Sequence, residues 1–122
     1  MGNPVGWFEI YVDDMDRAKA FYQAVFGVEL HRLDGVDDEM WGFSMDHGLY
    51  GSSGALIQHP GVKAGGNSTI VYFHGEDCGV EASRVVAAGG RVEKAKSSIG
   101  HYGYIALVVD SEGNRIGLHS MA

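Results

Sequence analysis

The first strongly patterned stretch of the chain is Gly6–Val12 (GWFEIYV), whose aromatic and β-branched residues suit a strand. Alternation puts Phe8, Ile10 and Val12 on one face and Trp7, Glu9 and Tyr11 on the other. The first face is wholly apolar and should meet a helix. The second carries a carboxylate between two aromatic rings. Asp13, Asp14 and Asp16 then open a helix, since acidic groups suit the first turn and its dipole. Met15, Ala18, Phe21, Tyr22, Val25 and Phe26 recur at helical spacing along one stripe, and Gly27 is the expected C-terminal cap. Three strands are predicted next, Val28–Leu33, Met40–Asp46 and Ser53–His59, separated by the turn-rich LDGVDDE and HGLYGS.

After a short connector, PGVKAGGN, the plan repeats. Thr69–His74 reads as a strand, and Asp77–Ala88 as a helix with Ala82, Val85 and Val86 on one side, ended by Gly89 and Gly90. Arg91–Lys96, Tyr102–Val109 and Asn114–His119 read as strands, the last two joined by a turn at Asp110–Gly113. The letters repeat too: IYVDD at Ile10–Asp14 lies over VYFHG at Val71–Gly75. Each copy reads β-α-β-β-β. One such unit cannot cover its own sheet, so two must pair, in one chain or between chains.

Composition narrows the class. The 122 residues hold 19 glycines but only 2 prolines, with 45% hydrophobic residues. Without a Gly-X-Y period, that surplus points to tight turns between strands rather than collagen or disorder. The length fits one domain. One cysteine cannot form an internal bridge, the start has no basic and apolar leader, and no apolar run spans a membrane. A cytoplasmic globular protein is the expectation. The net charge is −7, and all of the excess falls in residues 1–61, which hold three basic and ten acidic side chains. With no basic stripe, nucleic acid and anionic membranes are not expected partners.

Two motifs carry a family resemblance. VDDMDRAKAFYQAVFG at Val12–Gly27 and VVDSEGNRIGLHS at Val108–Ser120 resemble the strand-to-helix and closing-strand signatures of the vicinal oxygen chelate superfamily. That superfamily includes glyoxalase I, bleomycin-resistance proteins and extradiol dioxygenases. The resemblance implies an α+β fold of two tandem βαβββ modules, about residues 5–62 and 67–120, forming a curled mixed sheet. It also implies a small organic ligand in the cup of that sheet and a homodimer. Members of the family typically bind a divalent metal there, through residues that fall here on Trp7, Ile70, Ile57 or Gln58, and Gly117. At least three of these four positions lack a usable donor, whereas zinc and iron sites need three or four. No metal or other cofactor is therefore expected.

Glu9 is the leading candidate for chemistry. It lies two residues past the family's first ligand position, on the same side of its strand. It can serve as a base or hold a ligand's amine; alternatively it is a structural carboxylate bridged to a cation such as Arg115. Arg115, Gly117 and His119 share one face of the last strand, which the motif match makes the cup face. His119 is a weaker catalytic candidate, against the alternative of a solvated strand end. Trp7, Tyr11, Gln58 and Arg115 are the candidate ligand-binding residues. No histidine pair has the local spacing of a metal site, and Cys78 lacks a nucleophile motif. The expectation is a binder of a small organic molecule with lyase- or isomerase-type chemistry and no family metal; the alternative is non-catalytic sequestration, as in bleomycin-resistance relatives.

Overall fold

A computed structural model describes residues 3–66, 68–111 and 113–122. Asn67 in the predicted connector, where the second module was expected to begin, and Glu112 in the predicted last turn lie outside the described residues. The chain is α+β and follows the β-α-β-β-β plan twice. Its contacts divide it into two units: Phe8–Thr69, and Ile70–Ala122 together with the start of the chain as far as Trp7.

In the first unit, β1 (Val5–Tyr11, here from Phe8) leads into α1 (Met15–Phe26), β2 (His31–Arg32), β3 (Glu39–Gly42) and β4 (Ser53–Gln58), with strand order β2-β3-β4-β1. Helix α1 starts where Asp14, in extended conformation, accepts a hydrogen bond from the Arg17 N–H at 3.1 Å. It stops at Gly27, whose left-handed backbone (φ 63°) lets its N–H reach the Gln23 carbonyl. The predicted faces of β1 hold: Ile10 and Val12 join Met15, Ala18, Tyr22, Leu30 and Leu56 in the core beneath α1.

The predicted apolar stripe of α1 is only half used. Met15 is 2% exposed, but Phe21, Val25 and Phe26 stand in solvent at 58%, 57% and 63%. The stripe is wider than the core it meets, which Met15, Ala18 and Tyr22 fill from one side. Two strands are also shorter than their sequence pattern. β2 pairs with β3 only at His31–Gly42 and Arg32–Trp41. β3 ends at Gly42 rather than Asp46, because the Asp46 carboxylate and carbonyl close a turn on the N–H groups of Gly48 and Leu49.

In the second unit, β5 (Thr69–His74, here from Ile70), α2 (Cys78–Arg84), β6 (Arg91–Ser98), β7 (Tyr104–Val109) and β8 (Arg115–Ser120) follow. The strand order is β5-β8-β7-β6, with β5 and β8 parallel and the remaining pairs antiparallel. Cys78, Ala106, Val108 and Leu118 form its core with Ala82 and Val85 of the helix segment. The helix is shorter than the predicted Asp77–Ala88. Asp77 is its N-cap, and from Val85 the chain tightens into turns that end at Gly89 and Gly90. Val86, predicted to face inward, is 69% exposed. The start of the predicted strand Tyr102–Val109 is instead the last residue of a 3-10 turn, Gly100–Tyr102.

Candidate functional site

The candidate catalytic and ligand-binding residues all lie on strands, and the helix cores define which strand faces remain open. Because Ile10 and Val12 pack under α1, alternation turns Trp7, Glu9 and Tyr11 to the opposite side of β1. Glu9 is buried at 9% exposure, and Tyr11 is half-buried, its N–H donating to the Ser68 carbonyl at 2.8 Å. Gln58 ends β4. Its Oε1 accepts the Met15 N–H at 2.9 Å, taking up one of the backbone donors that a helix start leaves unpaired.

The second unit's open face follows from the same logic. Ile116 and Leu118 pack on the α2 side, so Arg115, Gly117 and His119 project from the other, as expected. Arg115 is engaged there: its Nε donates to Glu93 Oε2 at 2.7 Å, and Arg91 lies 3.5 Å from the same carboxylate's other oxygen. Tyr72, on β5, is the register partner of Gly117, and a Cβ built on Gly117 would overlap the Tyr72 ring. At the C-terminal end of these strands His74 and His119 are register partners, with Nδ1 atoms 3.1 Å apart. Sequence reasoning treated these two histidines separately. They are 45 residues apart, and only the parallel register of β5 with β8 places them side by side.

Several other residues have structural duties. Cys78 is fully buried in the α2 core, and its N–H donates to Ser120 Oγ. Trp41 packs against the α1 core with Lys19 Nζ 3.5 Å from its ring centre, a cation–π contact. Asp77 caps α2 through the Gly79 N–H and binds Lys96 Nζ at 2.7 Å. That ammonium holds the Asp77 carboxyl below its usual range, and the carboxylate in turn raises the Lys96 ammonium.

A superimposable fold identifies the architecture. A Streptomyces coelicolor methylmalonyl-CoA epimerase variant, in complex with 2-nitronate-propionyl-CoA, aligns at a TM-score of 0.67 over 98% of both chains with 20% identity. The chain has the vicinal oxygen chelate fold. A methylmalonyl-CoA epimerase from Mycobacterium tuberculosis matches at a TM-score of 0.64 with 14% identity, covering 98% of this chain and 88% of that one. A hypothetical protein from Bacillus halodurans C-125 matches at 0.69 with 9% identity, over 98% and 95%. A family model, bleomycin resistance protein-like N-terminal, matches residues 5–37. No curated protein sequence matches the chain.

The metal that this superfamily typically binds does not fit the residues present. Trp7 and Ile70 carry no donor, the Gln58 carboxamide oxygen is committed to α1, and the space at Gly117 belongs to the Tyr72 ring. Among the described residues, no group of three or more His, Cys, Asp or Glu side chains is placed to hold an ion. Among them, too, no helix is long and apolar enough to cross a membrane.

Proposed function

We propose that the chain binds a small organic molecule on the side of β1 that carries Trp7, Glu9 and Tyr11. Glu9 then acts as a general base in a lyase- or isomerase-type proton transfer that does without the family's four-ligand metal centre. One observation carries this reading: Glu9 is a buried carboxylate on the strand face turned away from the α1 core, with an aromatic residue two positions to either side. A base is effective when its position is held and its surroundings exclude water. Aromatic walls with a few placed polar groups are how small-molecule sites are built. An epimerase of the same fold holds methylmalonyl-CoA, which supports an isomerase acting on a small acyl compound.

A second reading, ligand sequestration without turnover, is favoured by the match of residues 5–37 to the bleomycin resistance protein-like N-terminal model. A thermal-shift screen of small carbonyl compounds and acyl thioesters separates the two. Each hit is incubated with the protein in D2O and followed by proton NMR. The catalytic reading expects deuterium exchange at the carbon next to the carbonyl, with exchange lost and binding kept in Glu9→Gln. Binding without exchange by the wild-type protein establishes sequestration instead. Equal exchange by wild type and Glu9→Gln removes Glu9 from the chemistry.

A further inference from the structure

We propose that His74 and His119 form a chelating site for a divalent late-transition ion such as Zn²⁺ or Ni²⁺, apart from the positions the superfamily uses. Two independent observations carry it. The first is the gap between the rings: the Nδ1 atoms are 3.1 Å apart. A cation about 2.0–2.1 Å from each nitrogen would see them at an angle of roughly 100°, between the square and tetrahedral values. The approach is fixed by the backbone. The two residues are register partners, the His74 N–H donates to the Pro4 carbonyl, and the His119 carbonyl accepts the Gly75 N–H, each at 3.0 Å.

The second observation is the far side of the His119 ring, where Nε2 lies 2.7 Å from the Tyr102 carbonyl oxygen. A carbonyl oxygen only accepts, so Nε2 carries the proton and Nδ1 presents a lone pair. An imidazole whose other N–H is tied to a backbone carbonyl is the usual arrangement of a metal-binding histidine. Without metal, His74 satisfies that lone pair by donating its own Nδ1–H. On binding, the His74 proton moves from Nδ1 to Nε2 through solvent, both rings stay neutral, and the ion exchanges two waters for two nitrogens. Two imidazoles select borderline ions over Mg²⁺ or Ca²⁺, which prefer oxygen. The two imidazoles supply two of the three or four ligands that zinc takes, and water or an oxygen of a bound ligand completes the set. His74 is exposed, so the site is reached from solvent.

The test uses tag-free full-length protein and Zn²⁺ alone, with calorimetry for affinity and long-range ¹⁵N–¹H NMR of the histidine rings. The expected result is one ion per chain, with the Nδ1 signals of His74 and His119 shifting together and Mg²⁺ producing no shift. His74→Gln and His119→Gln should each weaken Zn²⁺ binding at least about tenfold, the loss that follows even an outer partner's removal. His31→Gln, His47→Gln and His101→Gln should leave it unchanged. Zn²⁺ shifts confined to other histidines, or unmoved Nδ1 signals at saturating Zn²⁺, overturn the proposal. Because the wild-type ring signals report directly, a variant that fails to fold does not blur the answer. The outcome is also independent of what Glu9 does.

Discussion

Tyr72 and Gly117 are register partners on the parallel strands β5 and β8, and the tyrosine ring fills the space that a side chain at position 117 would need. The glycine is therefore matched to its neighbour. Gly117→Ala should destabilise the protein by about 1–3 kcal/mol, the usual range for overpacking a filled interior. In a Tyr72→Ala background, itself costly, the added penalty of Gly117→Ala should shrink by about 1 kcal/mol or more, as contacting pairs do in a double-mutant cycle. Urea unfolding of the four proteins measures this coupling. Strictly additive losses would show that the ring does not set the requirement for glycine.

Gln58 tests a different division of labour. Its carboxamide oxygen receives the Met15 N–H at the start of α1. Gln58→Met keeps the length of the side chain but removes the acceptor. It should cost about 1 kcal/mol, comparable to losing a helix cap. Equilibrium unfolding supplies the number, and an unchanged midpoint would mean that water replaces the carboxamide without loss.

Within α1, the half-used apolar stripe predicts unequal sensitivity. Met15 is buried in the core, so Met15→Ala should cost about 2–5 kcal/mol. Phe26 is largely in solvent, and Phe26→Ala should change stability by no more than about 0.5 kcal/mol, as at other surface positions. Parallel thermal melts decide it; equal losses would place both side chains in the core.

The Asp77–Lys96 pair should leave its mark on the pH dependence of stability. Asp77 is held below its ordinary value of 3.8, so its contribution is present above that pH and is lost as pH falls through the lower folded-state value. Lys96 is raised above 10.5, so its contribution is present below that pH and is lost as pH rises through the higher folded-state value. Both side chains are in contact with solvent, so the effects are small and screened by salt. Lys96→Met should lower stability slightly near neutral pH, where the pair contributes, and the two stability curves should converge below about pH 4 and above about pH 10. Melting temperatures across pH for the two proteins measure it.

Much of the architecture was legible in the chain because it rests on local rules. The period-2 alternation of Gly6–Val12 named the face that α1 covers, and Asp14 and Gly27 sit at the two ends of that helix where their chemistry placed them. Thr69–His74 is a strand with the predicted bounds, and the repeat of the β-α-β-β-β plan is the plan observed. Edges were less legible. Asp46 spends its side chain on a turn, and the residues after Arg84 tighten before the glycines, both through competition between local hydrogen bonds.

What the sequence determined by itself is therefore the kind of element at each place, the face each strand turns to its helix, and the family of folds those elements build. Tertiary structure alone decided which residues meet. The width of the core, not the spacing of apolar residues, sends Phe21, Val25 and Phe26 into solvent. The parallel register of β5 with β8 sets Tyr72 over Gly117 and joins His74 to His119 across 45 residues. Periodicity is a property of neighbours along a strand or helix. Register between distant strands comes from the packing of whole faces, and no single stretch of the chain contains it.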